Sequence, residues 1–414
     1  DNGKPGTAYN TADNGMKPER IKTAEGKVYQ LVPESTEGEP EGEVESGTTK
    51  EATYVYKEVK GNVVVHYTDE AGNKIAEDAK DTTDGSISTP YDTSDNGIKP
   101  ERITTPEGKV YELVPTATKG AETGKVTEGT TEVTYVYKEV TGDVVVHYVD
   151  TEGNVIAEDK EDTKGASLNA KYDTTDNKPE KIEKDGTVYY LTEKAVKDDS
   201  KPENGDVVEG KTEVTYVYEK AGQVVVHYTD EKGNTIQVDA VDTKDGKPNA
   251  DYNTADNDMK PNRITTPEGK VYELIPQSTK GDETGKVKAG ETTEVTYVYK
   301  EITGNVVVHY VDTEGNTLAD DTKDVENGSL SEKYDTTDNK PAKLEKDGTV
   351  YYLTAKELKD GSKPENGAVV EGTTEITYVY EKAGNVLVHY VDEAGNTLQA
   401  DAVDTKDGQP GAKY

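Results

Sequence analysis

The sequence contains no cysteine, no tryptophan and no phenylalanine among its 414 residues. The absence of cysteine excludes a disulfide framework, a cysteine-based zinc site and a catalytic thiol. No apolar run approaches the ~18 residues that a membrane-spanning helix needs, and no signal-peptide pattern opens the chain. The large aromatic residues available for a core are therefore the 28 tyrosines.

Large aliphatic residues and basic residues are also scarce. Valine, leucine and isoleucine together make up 71 residues, and the formal net charge is −36. Such a composition is typical of disordered chains. With 84 acidic against 48 basic residues, the chain lacks the basic surface that phosphate binding requires, so we expect no nucleic-acid partner. Either the chain is disordered, or it is an extended acidic protein with small cores.

An internal repeat favours the second interpretation. All five histidines lie in the phrase Val-(Val/Leu)-Val-His-Tyr, at spacings of 81, 80, 82 and 80 residues. Two further phrases recur with the same period, namely Thr-Tyr-Val-Tyr and Tyr-(Asp/Asn)-Thr-x-Asp-Asn. About 80 residues can bury a small core, whereas solenoid repeats are shorter and cannot fold alone. We therefore predict a string of small domains.

The period divides the chain into four complete units, 61–141, 142–221, 222–303 and 304–383. Residues 1–60 correspond to the C-terminal part of a further repeat, and residues 384–414 to the N-terminal part of another. Units 61–141 and 222–303 contain Thr-Thr-Pro-Glu-Gly-Lys and are called A-type here, as is 1–60. Units 142–221 and 304–383 contain Glu-Lys-Asp-Gly-Thr and are called B-type.

Within a unit, the apolar residues predict four or five strands and thus a mainly β fold. In 61–141, alternation places Val63, Val65 and Tyr67 on one face of the first strand, and a return strand through Ile75 closes a hairpin. A second hairpin turns at 106–109, and the last strand covers 131–137. We expect tyrosine to replace phenylalanine because thin cores leave each ring partly wet. The short connections predict a monomeric, elongated rod with limited swing.

Three phrases of one unit resemble MucBP-type (mucin-binding protein) repeats. They are Val-Val-Val-His-Tyr-Val-Asp-Thr-Glu-Gly-Asn at 144–154, Tyr-Asp-Thr-Thr-Asp-Asn-Lys-Pro at 172–179 and Glu-Val-Thr-Tyr-Val-Tyr at 213–218. The resemblance implies a tandem array of β-grasp-like or Ig-like modules in an extracellular adhesin anchored to the cell wall of a Gram-positive bacterium. It further implies a stalk that projects a binding domain, or, alternatively, repeats that themselves bind mucin or another host glycoprotein.

A glycan site on the recurring tyrosine phrase is the candidate site, because sugars pack on an aromatic face beside fixed polar groups. The alternative role of this phrase is a core tyrosine followed by a capped turn. The candidate residues in the four complete units are Tyr91, Asp92, Asp95, Asn96, Tyr172, Asp173, Asp176, Asn177, Tyr252, Asp256, Asn257, Tyr334, Asp335, Asp338 and Asn339.

The sequence carries no complete motif for metal binding or catalysis. Each unit has one histidine and no cysteine, so a tetrahedral metal site lacks ligands. The acidic turns that begin at Asp69 and Asp150 offer oxygen ligands but not the twelve-residue calcium-loop spacing. No nucleophile or phosphate-binding motif occurs. We expect no cofactor and no enzymatic activity. An isopeptide bond from Lys109 or Lys270 is a further alternative.

Overall fold

The computed structural model describes residues 3–414 and is almost entirely β. Within that range, strands alternate with turns and six short 3-10 segments, and no α-helix occurs. None of the described helices is long and apolar enough to cross a membrane. The expected mainly β fold of small tandem domains is confirmed. The chain forms two compact units, one reaching Ile182 and including Leu191–Tyr218, the other comprising Glu183–Tyr190 and Glu219–Tyr414.

The strands up to residue 220 are, in chain order, Ala8–Asn10, Arg20–Lys22, Val28–Leu31, Glu37–Gly38, Glu41–Glu43, Ala52–Thr53, Tyr56–Glu58, Lys60–Asp69, Lys74–Ser86, Pro90–Asp92, Arg102–Thr104, Val110–Leu113, Thr123–Lys125, Gly129–Glu139, Thr141–Asp150, Lys160–Ser167, Lys171–Asp173, Lys181–Lys184, Thr187–Val196, Asn204–Asp206 and Gly210–Lys220. The 3-10 segments of this stretch are Asp13–Gly15, Pro33–Ser35, Pro115–Ala117 and Thr175–Asn177.

The later strands are Gly222–Asp230, Thr235–Gly246, Asp251–Asn253, Arg263–Thr265, Val271–Leu274, Thr284–Lys286, Thr292–Asp312, Thr317–Ser329, Lys333–Asp335, Lys343–Lys346, Thr349–Leu358, Asn366–Ala368, Gly372–Lys382, Gly384–Val391 and Thr397–Gly408. The remaining 3-10 segments are Pro276–Ser278 and Thr336–Asn339.

Residues 61–141 show how one repeat is built. Its five-stranded sheet has a central parallel pair, Lys60–Asp69 beside Gly129–Glu139. Lys74–Ser86 extends the sheet on one side, and the second hairpin extends it on the other. The first and last strands lie side by side, with the hairpin partner of the first strand on one side and the second hairpin on the other. This order matches the β-grasp expectation without its helix. An Ig-like sandwich has two antiparallel sheets instead.

The buried face of the central pair follows the predicted alternation. Val63, Val65, Val133 and Tyr135 are fully buried, and Tyr67 is nearly so. In the compact unit that includes Glu219–Tyr414, the equivalent strands Thr292–Asp312 and Gly372–Lys382 pair in the same parallel register. β-Branched residues and tyrosines therefore concentrate where two strands share one apolar face.

The core tyrosines contradict the expectation that each ring is partly exposed to water. Tyr137 is fully buried, and its hydroxyl donates to the Pro100 carbonyl at 2.8 Å. The Tyr67 hydroxyl donates to the Ile98 carbonyl at 2.6 Å. A buried hydroxyl needs a partner, and the irregular crossover between the two hairpins supplies it. Equivalent bonds join Tyr148 to Asn177, Tyr218 to Pro179, Tyr228 to Met259, Tyr299 to Pro261, Tyr310 to Asn339 and Tyr380 to Pro341.

The scarcity of aliphatic residues matches the amount of exposed surface. The chain exposes 25520 Å², whereas a single compact domain of 45.0 kDa exposes about 16,000 Å². Small domains bury a smaller fraction of their surface than large ones do. Division into small cores therefore accounts for the polar composition without disorder.

Candidate functional site: the Tyr-Asx-Thr turn

The candidate glycan phrase forms a turn that we call the Tyr-Asx-Thr turn, at 91–96, 172–177, 252–257 and 334–339. Its tyrosine sits on a three-residue strand; in the first copy, Pro90–Asp92 pairs with Thr123–Lys125 and places Tyr91 opposite Gly124. The ring lies so close to Gly124 that a Cβ there would be 2.8 Å from the Tyr91 hydroxyl oxygen. That hydroxyl donates to the Ala121 carbonyl at 3.1 Å.

The same packing recurs in the other complete repeats, with Tyr172 on Gly205, Tyr252 on Gly285 and Tyr334 on Gly367. The four tyrosines are only 6–8% exposed. An aromatic ring that covers a glycine stabilises a strand pair that would otherwise lack a side-chain contact. The aromatic faces are thus used inside the repeat and are not offered as a flat platform to a sugar.

The second residue of the turn caps the backbone. Asp92 Oδ1 accepts from the Ser94 backbone N–H at 2.9 Å, and Asp173 and Asp335 accept equivalently from the second residue after each. The pKa of Asp92 is lowered, first by the Ser94 hydroxyl and then by its N–H. These are Asx-turns, in which a short carboxylate replaces a backbone acceptor.

The Asp-Asn pair at the end of the turn is its solvent-facing part. Asn96 and Asn257 adopt left-handed backbone with φ of 49° and 52°, and their amides donate to Asp95 and Asp256 at 2.6 Å. In the B-type repeats the amides reach back to the first hairpin, Asn177 to Asp162 at 2.9 Å and Asn339 to Asp324 at 2.8 Å. Asp176 and Asp338 stay exposed beside them.

Sequence reasoning missed the threonine of the phrase. Thr93 is fully buried, and its hydroxyl lies 2.8 Å from that of Tyr135 and donates to the Glu122 carbonyl at 3.1 Å. Lys99 lies over the Tyr135 ring at 5.1 Å and pairs with the Glu122 carboxylate at 2.7 Å. The hydroxyl pair recurs as Thr174–Tyr216, Thr254–Tyr297 and Thr336–Tyr378. An identical threonine in every copy of the phrase was the available signal.

The histidines lie on the opposite, less buried face of the first strand. His66 Nδ1 is 3.2 Å from Asp78, and Nε2 is 4.0 Å from Glu132 on the neighbouring strand. His147, His227, His309 and His389 contact an aspartate at the equivalent position. Across residues 3–414, no three His, Asp or Glu side chains are grouped to hold a metal ion.

The acidic hairpin turns use their carboxylates internally. Asp69 accepts from the backbone and side-chain amides of Asn73, both at 2.8 Å, and the Asn73 side chain is the leading cause of its lowered pKa. Asp150, Asp230 and Asp312 close the same turn with Asn154, Asn234 and Asn316. These oxygens stabilise the loop backbone, which is the structural alternative to a calcium ligand.

Taken together, the recurring polar phrases build loops and core contacts inside each repeat. The fold and its turns define a tandem β-domain protein in which tyrosine hydroxyls hold the loops. A family model described as MucBP domain matches residues 62–138, 143–219, 223–300, 305–381 and 385–414. The chain belongs to this family.

Two curated relatives show the breadth of the similarity. The muramidase-released protein of Streptococcus suis is 43% identical over 281 residues, covering 61% of this chain and 22% of that protein. Internalin J of Listeria monocytogenes is 30% identical over 360 residues, covering 82% of this chain and 33% of that protein. The chain therefore spans a third or less of the length of these relatives.

Similar solved structures include streptococcal SHIRT domains 3-4 from a cell surface protein, with a TM-score of 0.21 and 8% identity, covering 39% of this chain and 98% of that one. The Bacillus anthracis TIE protein has a TM-score of 0.22 and 12% identity, covering 87% of this chain and 76% of that one. The structure named Mub-RV has a TM-score of 0.15 and 14% identity, covering 58% and 98%.

Proposed function

We propose that the chain is part of the repetitive stalk of an extracellular adhesin anchored to the cell wall of a Gram-positive bacterium. In this role the repeats space a separate binding domain away from the wall and perform no catalysis. The proposal keeps the boundaries 61–141, 142–221, 222–303 and 304–383, with partial repeats at 1–60 and 384–414.

The observation that carries the proposal is the direct strand connection between repeats. Thr292–Asp312 is one strand of 21 residues that crosses from 222–303 into 304–383. Where 61–141 meets 142–221, a single residue separates the strand Gly129–Glu139 from the strand Thr141–Asp150. A flexible tether needs a longer segment rich in glycine and serine, so these connections suit a spacer that transmits position.

A second candidate function is multivalent binding of mucin or another host glycoprotein by the repeats. Two observations favour it: the family description, and the exposed aspartate near the end of each Tyr-Asx-Thr turn, which in the A-type repeats is followed by an exposed asparagine. Weak sites repeated along a chain gain avidity. The net charge of −36 disfavours sialylated or sulfated chains by repulsion.

Retention on mucin-coated beads distinguishes the two functions. The stalk proposal predicts that the 414-residue chain and the single repeat 61–141 are both washed off at 0.15 M salt. Retention of the long chain that falls at least tenfold when Asn96, Asn177, Asn257 and Asn339 are all replaced by alanine would instead establish the second candidate. Replacement of Asn73, Asn154, Asn234 and Asn316 is the matched control, because these asparagines also bond an aspartate but lie in the acidic hairpin turns.

A further inference from the structure

The arginines mark the contact between successive repeats. Only three of the 48 basic residues are arginine, and all three occupy the same position of an A-type repeat. Arg102 extends to the following repeat, where Nη1 and Nη2 lie 3.0 and 3.1 Å from the two carboxylate oxygens of Glu209. The planar guanidinium matches a carboxylate with two parallel hydrogen bonds, which the ammonium group of lysine cannot reproduce.

The other two arginines repeat this geometry. Arg20 holds Glu128 at 2.9 and 3.1 Å, and Arg263 holds Glu371 at 3.2 and 3.3 Å. Arg102 and Arg263 are further steadied from their own repeat by Glu112 and Glu273. Each A-type repeat of the chain therefore grips its successor with a two-bond ion pair.

A second contact lies at the same joint. Glu139, at the end of its repeat, accepts from the hydroxyl of Ser167 in the next repeat and pairs with Lys109 at 3.0 Å. Glu58–Ser86 and Glu301–Ser329 are equivalent, at 2.6 and 2.5 Å. Lys27 and Lys270 take the place of Lys109. We call the arginine pair and this serine contact the clasp.

B-type repeats meet their successors differently. Between 304–383 and 384–414, the Tyr352 hydroxyl donates to the Asp407 carbonyl at 3.0 Å. Between 142–221 and 222–303, the Tyr190 hydroxyl donates to the Asp245 carbonyl at 3.1 Å. The B-type repeat 304–383 has Lys343 where A-type repeats have arginine, and Lys382 where they have the terminal glutamate. At both B-type joints, a tyrosine hydroxyl therefore donates to a backbone carbonyl of the next repeat.

The residues of the receiving repeat change with its predecessor rather than with its own type. Repeats 61–141 and 222–303 are both A-type, but only the first follows an A-type segment. It carries Ser86 and Glu128, whereas 222–303, which follows a B-type repeat, has Lys247 and Ala289 at the corresponding places after Gly246 and Val287. Residues that served the interior of a repeat would match within a type.

From this pattern we infer that the clasp is a neighbour-matching interaction surface that fixes the orientation of an A-type repeat against its successor. Its partner is a repeat carrying the serine and the glutamate, and B-type joints use a different surface. Exposed ion pairs contribute little to folding stability. Several contacts at one joint nonetheless restrict its orientations, and salt weakens the charged ones. This inference depends only on the order of the repeats along the chain and does not require that the chain be a stalk.

Distance measurements between paired spin labels test this inference, and the absence of cysteine lets labels be placed at will. Glu77→Cys with Glu158→Cys brackets the clasped joint at equivalent exposed positions, and Asp320→Cys with Ala400→Cys brackets a B-type joint. At low salt, Arg102→Gln is expected to widen the first distance distribution at least twofold and to leave the second unchanged. Raising the salt concentration to 1 M should also widen the distance distribution across the clasped joint when Arg102 is unchanged, because salt screens the ion pair.

Charge exchange supplies the decisive control. Arg102→Glu combined with Glu209→Arg should narrow the distribution again, and the melting temperature of each variant should stay within about 2 °C of the parent. The inference would be overturned if the distance distribution between labels at positions 77 and 158 had the same width in the parent, in Arg102→Gln and in 1 M salt. A failed stalk would instead appear as a compact chain with an intact clasp.

Discussion

Replacing Gly304 by alanine is expected to unfold the repeat 304–383 at a temperature where the rest of the chain stays folded. A Cβ at this position would lie 2.0 Å from the Val370 carbonyl oxygen and 2.8 Å from Val369 Cγ1. Gly304 pairs on both sides, with Gly372 in parallel and Gly328 in antiparallel register, so the strand cannot move away. Because the clash is with backbone, we expect the cost to lie near the upper end of the usual overpacking range, about 3 kcal/mol. For a small domain this corresponds to a loss of roughly 12–24 °C in melting temperature.

Hydrogen exchange followed by mass spectrometry reads the effect repeat by repeat. Peptides from 304–383 should lose protection while peptides from 61–141 keep it. Gly384→Ala is the matched control, since it opens the following first strand and a Cβ there meets no atom within 4 Å. Equal protection in both variants would show that the strand tolerates a side chain at Gly304.

Above pH 10 the chain is expected to unfold cooperatively, because its core tyrosines must stay protonated. Burial raises the pKa of Tyr216 to about 12, and burial raises the pKa of Tyr137, Tyr218, Tyr299 and Tyr380 as well. In this range the folded chain holds protons that the unfolded chain, with tyrosine pKa near 10, has released. Stability therefore falls as pH rises from about 10 and is unaffected by these groups below it.

Phenolate absorbance and circular dichroism recorded together check this expectation. The buried tyrosines should ionise in one step that coincides with loss of the β signal. Tyr137→Phe should cost about 1–3 kcal/mol at pH 8, because the Pro100 carbonyl loses its donor, yet make the alkaline loss less steep. Gradual ionisation of all 28 tyrosines with the β signal intact at pH 12 would contradict the account.

The sequence was most informative about the strands and least about what holds the loops. Alternation of Val63, Val65 and Tyr67, and turn chemistry at 106–109, predicted both hairpins because these signals are local. The parallel pairing of first and last strands joins residues about 70 positions apart, as in Val65 and Val133, and no local pattern encodes it. The small sheet of Tyr91 and Gly124 escaped prediction for the same reason.

The candidate site shows a similar division. Asp92 acts as the predicted turn cap, whereas the role of Tyr91 depended on a distant glycine that only the fold brings beneath the ring. The wet-ring expectation for tyrosine failed because hydroxyls find partners in a crossover that has no periodic pattern. The arginine clasp could have been suspected earlier, since Arg20, Arg102 and Arg263 recur at one repeat position. Its partner, however, lies 107 or 108 residues away.

Small-angle X-ray scattering of the 414-residue chain tests the stalk proposal most directly. The four complete and two partial repeats amount to about five repeat lengths of about 30 Å each. Placed end to end, they give a length of ~150 Å and a radius of gyration of about 40 Å, whereas a compact chain of 414 residues has about 22 Å. The stalk predicts the larger values, and it predicts that they do not change with protein concentration. A radius of gyration near 22 Å, with a maximum dimension to match, would contradict it.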